Sequence, residues 1–313
     1  MENILKNKKY LILVIFFSFT LLACRLTDAL SSFTSGSGPL AEAENQSSNE
    51  DIDVESSTEG STAAESAEAN FENGVNSVFM GHSFFIPVAK AFDVIATQSD
   101  FPSHQAELIF LPGQAGAPGP MWENEQARQQ VEDLLASGDI DLLGMPISIA
   151  PEDDKALGHY QQWIDLALTY NPNTSFFIGV VWMARGPSME DQKYADLNEE
   201  GAQRHYELVK ELRGIYPDTH IYLINYGKIA SEMKFAFSAD QLPDIEQLVG
   251  KDETALFADD KIGHGGRLMH ELCALTWISI LYDAEIDALE YSGFSDEAMQ
   301  ILQDSIEYNI DYQ

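Results

Sequence analysis

The feature that most constrains the fold is an alternation of short apolar runs with longer segments of helical periodicity, which continues from residue 77 to the end of the chain. The runs suited to strands are residues 77–80, 106–111, 140–144, 175–182 and 220–224. The helical patterns cover residues 88–98, 122–137, 155–170, 197–216, 230–239, 267–282 and 295–308. Strands separated by helices predict a parallel sheet covered on both faces. We therefore expect one α/β domain, a three-layer α/β/α sandwich around a central, mostly parallel five-stranded sheet.

The first 24 residues have the pattern of an export signal. Three lysines precede an apolar run at residues 10–22 that is too short for a typical membrane-spanning helix. The run ends at Ala23 and Cys24, an ending that resembles a bacterial lipobox, although a plain signal anchor with an incidental cysteine is the alternative. The resemblance implies an exported protein whose Cys24 is lipidated and holds it on the membrane, at the periplasmic face or the cell surface of a bacterial envelope.

Residues 25–76 are rich in Ser, Glu, Ala and Gly and have almost no large apolar side chains, which predicts a flexible, acidic tether before a domain at residues 77–313. The formal charge of the chain is -34, and such a surface disfavours nucleic acid as a partner. Cys24 and Cys273 are the only cysteines, and the seven histidines show no ligand spacing, so we expect no metal. The sequence also lacks phosphate-binding and dinucleotide-binding fingerprints, and we expect no cofactor.

Ser83 follows the first predicted strand and precedes the first predicted helix. A Ser in such a turn presents its hydroxyl at the C-terminal end of the strand, where open α/β sheets bind their ligands and where the next helix offers its N-terminus. The alternative is that Ser83 only caps the helix.

A second pattern near the C-terminus favours a catalytic role for Ser83. There Asp259 and Asp260 precede His264, and an acid that orients a histidine is what a nucleophilic serine needs. An acid four residues before a histidine reaches it across a turn, which favours Asp260 and leaves Asp259 as the alternative.

Together, Gly81 and Ser83 on the first strand and the late acid–histidine pair resemble the SGNH (GDSL-type) hydrolase superfamily, and the resemblance spans residues 77–313. It implies a flavodoxin-like sandwich in which Ser83 is the nucleophile, His264 the general base and Asp260 the orienting acid. It also implies an oxyanion donor at Gly113 or Gly116, beside the Ser83 amide. The implied activity is hydrolysis of an O-acyl ester without a cofactor. For an exported member of this superfamily, O-acetylated glycans are one such substrate class.

The chain departs from the superfamily pattern in two ways. The acid and the histidine are spaced Asp-x-x-x-His rather than Asp-x-x-His, and no Asn follows the third predicted strand, where the pattern has an oxyanion donor. Ser148 or Asn225 are the possible replacements. The missing Asn supports a second hypothesis, an inactive surface lipoprotein that keeps the fold and binds a carbohydrate or an envelope partner. An acyltransferase is a third. We further expect a substrate rim formed by residues near the same sheet edge: His82, Trp182, Arg185 and Asn225.

Overall fold

The computed structural model describes residues 71–99, 101–147, 155–289 and 293–313. Its centre is a parallel five-stranded sheet in the spatial order β2-β1-β3-β4-β5. The strands are β1 (Asn76–Gly81), β2 (Gln105–Phe110), β3 (Leu142–Pro146), β4 (Ser175–Val180) and β5 (Ile221–Asn225). Because every pairing is parallel, the C-terminal ends of all five strands lie along one edge. The predicted signal with Cys24, the tether up to residue 70 and Ser148 lie outside the described residues.

Helices cover both faces of this sheet. They are α1 (Ile86–Gln98), α2 (Pro118–Glu123), α3 (Glu125–Leu135), α4 (Ala156–Tyr170), α5 (Asp191–Ile215), α6 (Gly227–Ser238), α7 (Arg267–Tyr282) and α8 (Asp296–Ile310). One row of contacts joins α1 to α7 and α7 to α8, and another joins α3, α4 and α5 in sequence. The expected α/β/α sandwich with a five-stranded parallel sheet is confirmed. No helix among the described residues is both long and apolar enough to cross a membrane.

An aromatic cluster joins the sheet to α1 and α7. The indole of Trp277 on α7 lies 4.6 Å from the ring of Phe177 on β4 and 5.7 Å from that of Phe79 on β1, measured between ring centroids. Phe92 of α1 completes the cluster at 5.5 Å from Phe79. All four side chains are fully buried, and large aromatic side chains contribute strongly to the energy of a core. The strand ends that carry the site are therefore fixed on a rigid layer.

Local differences from the predicted elements have identifiable causes. The helix expected at residues 122–137 is two helices, because Asn124 leaves the helical conformation and its side chain accepts a hydrogen bond from the Ala127 amide to cap α3. The helix expected from residue 197 begins at Asp191, where the Glu190 carboxylate caps it. The structure also has a second, two-stranded parallel sheet, which pairs β6 (Gln247–Val249) with β7 (Ala255–Phe257). This sheet was not predicted, because strands of three residues leave too short a pattern in the sequence. It leads directly into the loop that carries His264.

Candidate active site

Ser83 lies in the tight turn between β1 and α1, half-buried at the C-terminal edge of the sheet. The turn is closed by the His82 carbonyl, which accepts hydrogen bonds from the amides of Phe85 (3.0 Å) and Ile86 (2.9 Å). The Ser83 amide has no acceptor within the described part of the chain. A free amide next to a serine hydroxyl at a helix N-terminus can stabilise a developing oxyanion.

His264 reaches Ser83 from the loop between β7 and α7. Its Nε2 atom lies 2.9 Å from the Ser83 Oγ atom, and its Nδ1 atom lies 2.5 Å from an oxygen of Asp259. With Nδ1–H donating to the carboxylate, Nε2 is free to accept the hydroxyl proton. The side chain of His264 is 30 % exposed, so solvent and substrate can reach it. The three side chains form a continuous hydrogen-bonded line from the Ser83 hydroxyl to the Asp259 carboxylate.

The Asp259 carboxylate is also held by the backbone of its own loop. One oxygen accepts hydrogen bonds from the amides of Ile262 (2.6 Å), Gly263 (3.1 Å) and Lys261 (3.2 Å). Burial by itself raises the pKa of Asp259. The hydrogen bonds from the Ile262 amide, the His264 side chain and the Gly263 amide outweigh it and hold the pKa well below its usual range. The acid is therefore ionised at neutral pH, as the orienting group of an imidazole must be.

The preference for Asp260 as that acid was wrong. Asp260 is exposed, and Asp259, five residues before the histidine, contacts the imidazole. Asp259 reaches the imidazole over this longer spacing because its carboxylate accepts hydrogen bonds from the backbone amides that follow it, and these bonds fold the loop into a turn. Gly263 completes this turn with a φ of +81°, a left-handed conformation that glycine adopts without steric penalty. Both the acid and the histidine are thus placed by one compact loop.

The loop after β4 supports this histidine loop. The buried indole of Trp182 donates a hydrogen bond to the Gly263 carbonyl (2.9 Å), and the Arg185 amide donates one to the Ile262 carbonyl (2.7 Å). The ring of Phe84 contacts both His264 and Trp182. Its centroid lies 5.1 Å from that of His264 and 5.2 Å from that of Trp182. His264 is therefore restrained from the side of β4 as well as by its own loop.

The two glycines proposed as oxyanion donors differ in position. Both belong to a short 3-10 helix, Gly113–Gly116, that follows β2. Gly113 is exposed at its start, where an amide has no partner within the helix, whereas the Gly116 amide is placed to close the turn on Gly113. Gly116 packs so closely on the end of β1 that an added Cβ would lie 2.7 Å from the Gly81 carbonyl. We retain Gly113 as the better candidate for the donor.

Three of the four expected rim residues are not on a rim. His82 is 0 %, Trp182 1 % and Asn225 4 % exposed. Asn225 lies under α8, where its backbone amide and carbonyl pair with the Asn309 side chain, so it is no substitute for an oxyanion donor at Ser83. Its place on the edge strand β5, three strands from β1, explains the separation. Arg185 is exposed beside the histidine loop and remains a candidate for substrate contact.

His82 is a neutral, structural imidazole. Burial lowers its pKa to about 4; the backbone carbonyl of Ile147 opposes the change and the nearby His264 adds to it. Its Nδ1 atom accepts a hydrogen bond from the Phe84 amide (3.2 Å), which helps to hold the turn around Ser83. On the side of β3, the residue next to this turn is the buried Ile147, and no Asn is present there.

The described residues contain no cluster of three acids, histidines or cysteines that could hold a metal ion.

Two features that shape the site were missed from the sequence. They are the packing of Phe84 against His264 and the hydrogen bond that Trp182 donates. Phe84 gave no signal beyond its apolar character, and the bond from Trp182 to Gly263 joins residues 81 positions apart. One local signal was present for the acid. Asp side chains commonly accept hydrogen bonds from amides two residues on, and Asp259 with Lys261 fits that pattern.

No family model matches the chain, and no curated protein matches it. Among solved structures, it is similar to a DUF4886 family protein from Bacteroides uniformis, with a TM-score of 0.48 and 11 % identity over 75 % of this chain and 95 % of that one. It is also similar to the periplasmic domain of a lipopolysaccharide acetyltransferase from Salmonella ser. Paratyphi A, with a TM-score of 0.41 and 10 % identity over 68 % of this chain and 86 % of that one. These likenesses are distant.

Proposed function

We propose that the protein is an exported serine hydrolase of the SGNH type that cleaves an O-acyl ester. The observation that carries the proposal is the line from Ser83 Oγ through His264 to Asp259, with distances of 2.9 and 2.5 Å. This arrangement suits nucleophilic acyl transfer, because the histidine can take the hydroxyl proton while the carboxylate fixes its tautomer and stabilises the imidazolium. The partly exposed imidazole is accessible to a substrate ester.

The reaction has two steps. The Ser83 oxygen attacks the acyl carbon as His264 takes its proton, the Ser83 amide stabilises the oxyanion with an amide of the Gly113–Gly116 turn, and the protonated His264 gives its proton to the departing alcohol. Water, deprotonated by His264, then attacks the acyl carbon; the bond to the Ser83 oxygen breaks, the protonated His264 returns its proton to that oxygen, and the carboxylic acid leaves. The protein lacks the Asn donor of the superfamily pattern, and loss of one oxyanion donor lowers a rate by about 10²–10³-fold. We therefore expect a slower enzyme than the complete pattern would give.

The test is hydrolysis of p-nitrophenyl acetate by the purified protein, beside Ser83→Ala, His264→Ala and the control Ser137→Ala, an exposed serine distant in sequence from the site. We expect the two site variants to lose at least about 10³-fold in kcat, as removal of a nucleophile or its base does, and the control to match wild type. A fluorophosphonate should label wild type on the peptide that contains Ser83.

Equal activity in all four proteins would contradict the proposed mechanism. If wild type neither hydrolyses the ester nor takes the label, the rival hypothesis, an inactive surface protein that binds a carbohydrate or an envelope partner, is favoured. Transfer of the acyl group to an added alcohol in preference to water would identify an acyltransferase that uses the same residues.

A further inference from the structure

A cavity of about 110 Å³ lies directly behind the turn that carries Ser83. Its wall includes His82 and Phe84, the two residues that flank the nucleophile, together with Trp182 and Met183 from the loop after β4 and Gly201 from α5. Phe84 and Trp182 also contact the histidine loop. The cavity therefore adjoins the catalytic line without including the Ser83 hydroxyl in its wall.

The wall of the cavity is mostly apolar. Burial lowers the pKa of both His82 and His205, so both imidazoles are neutral at pH 7. Arg204, the one cation of the wall, is exposed and forms an ion pair with Glu200 (3.2 Å). Asn198 accepts from the Met183 amide and donates to the Ser231 hydroxyl. The Asn198 side chain is thus committed to the protein, whereas the Nε2 atom of His82 has no hydrogen-bond partner among the described residues. Because the rest of the wall is mostly apolar, it suits an uncharged aliphatic ligand better than a hydroxyl-rich sugar.

Gly201 keeps part of this space open. It is buried in the middle of α5, yet a Cβ built on it would meet no atom within 4 Å. Gly158 and Gly214 also have no neighbour at that distance, but both are exposed and face solvent. A glycine inside a helix is destabilising relative to alanine, and close packing does not require one at position 201. The chain therefore retains a destabilising residue where a side chain would fill the cavity.

We propose that this cavity binds the aliphatic acyl chain of the ester that Ser83 attacks, an inference that rests on the proposed function. Its position beside the nucleophile fits the acyl group, which is attached to Ser83 during the reaction. An apolar cavity of about 150 Å³ accommodates benzene, so this one suits roughly four chain carbons beyond the reacting carbonyl. The preferred substrate is then an ester of a short aliphatic acid of about six carbons rather than an acetate.

The test compares kcat/KM for p-nitrophenyl hexanoate and p-nitrophenyl acetate. We expect wild type to prefer hexanoate by at least about tenfold, and Gly201→Leu to lower the hexanoate-to-acetate ratio by about tenfold or more, because the new side chain occupies the cavity. Gly214→Leu, an exposed position on the same helix, is the matched control and should leave the ratio unchanged. Gly201→Ala adds one methyl group and should lower the ratio by a smaller amount, which keeps the test valid if the leucine variant does not fold.

A ratio that is the same in wild type and in folded Gly201 variants, with esters still hydrolysed, would overturn the cavity assignment and leave the serine mechanism standing. If wild type hydrolyses no ester, direct binding decides whether the cavity holds an acyl chain. Binding is measured by titration calorimetry with ethyl hexanoate on Ser83→Ala. Binding that is lost in Ser83→Ala combined with Gly201→Leu supports the cavity even if wild type hydrolyses no ester. Absence of binding, or binding that the leucine does not change, overturns it.

Discussion

Asp259 and Asp260 are adjacent carboxylates with different environments. Asp259 accepts hydrogen bonds from backbone amides and from the His264 imidazole, while Asp260 projects into solvent. Bonds from amides favour the charged form and fix the direction of the carboxylate at the same time. The same contacts therefore give the acid its low pKa and place it on Nδ1, so position and ionisation have one structural cause.

This difference predicts that Asp259→Asn lowers kcat by about 10³–10⁴-fold, because an amide in that place favours the wrong imidazole tautomer, as removal of the orienting acid does in serine proteases. Asp260→Asn should remain within about twofold of wild type, since exposed substitutions are usually mild. The measurement is steady-state ester hydrolysis of both variants. Equal losses in the two would contradict the assignment.

Asp259→Asn should also alter the pH dependence of stability. The pKa of Asp259 is lowered on folding, so the ionised group stabilises the folded state fully above the unfolded value of about 4, and this contribution is lost as the pH falls through the folded value. The difference in unfolding free energy between wild type and variant should therefore be constant near neutral pH and shrink in acid, as measured by urea denaturation.

At the scale of elements, the site is assembled from three loops that follow different strands. The turn after β1 carries Ser83 and Phe84, and the segment after β7 carries His264. The segment after β4 joins them through Trp182, which donates to the Gly263 carbonyl and packs against Phe84. On the opposite side, α4 anchors the start of α2, just after the Gly113–Gly116 turn, since the Trp163 indole donates to the Pro118 carbonyl (2.9 Å). Buried tryptophans thus hold the histidine loop and the start of α2 by hydrogen bonds to carbonyls as well as by packing.

Trp182→Phe tests whether such an anchor positions His264, the proposed general base. The variant keeps an aromatic ring but leaves the Gly263 carbonyl without its donor, which should destabilise the protein by about 1–3 kcal/mol. We expect kcat to fall about tenfold, because small displacements of a catalytic group are costly, while KM changes little.

Trp277→Phe is the matched control, a buried tryptophan of the core whose indole nitrogen has no acceptor among the described residues. It should be destabilised through lost packing but keep kcat within about twofold of wild type, as substitutions away from a site usually do. If both variants lose kcat in proportion to their loss of stability, Trp182 has no positioning role.

At the scale of the whole molecule, the sheet could be predicted because β1, β3, β4 and β5 are mostly apolar runs, whereas the edge strand β2 mixes polar and apolar residues around a shorter run. All five central strands appear where such runs occur. Parallel strands then place their C-terminal ends on one edge, which is where Ser83 was expected. The pairing of Ser83 with His264 came instead from the resemblance to the superfamily, because His264 follows β7 of the second sheet and not a strand of the central one. That reasoning did not decide which side chains face outward at the edge. His82 and Asn225 are polar, yet α5 and α8 pack near them, and such long-range coverage leaves no local pattern.

The cavity behind Ser83 shows the same limit. Gly201 is indistinguishable in the sequence from the exposed helical glycines at 158 and 214, because only tertiary packing decides whether open space lies inside the molecule or in solvent. The acid was misassigned for a related reason. The choice between Asp259 and Asp260 depends on a backbone turn that closes only when Gly263 adopts positive φ.

The proposed attachment of the protein to a membrane can be tested at Cys24. A net charge of -34 gives no electrostatic attraction to anionic lipids, so we expect attachment to depend either on acyl chains at Cys24, as proposed, or on the apolar run at residues 10–22 of the signal-anchor alternative. In a bacterial host fed an alkyne-tagged fatty acid, wild type should take up the tag and Cys24→Ser should not. Cys273→Ala, which changes the buried second cysteine, should be tagged like wild type. Wild type should also stay on membranes washed with about 1 M salt, which screens charge interactions beyond about 3 Å. Tagging of Cys24→Ser, or none of wild type, would refute a lipid anchor at this residue.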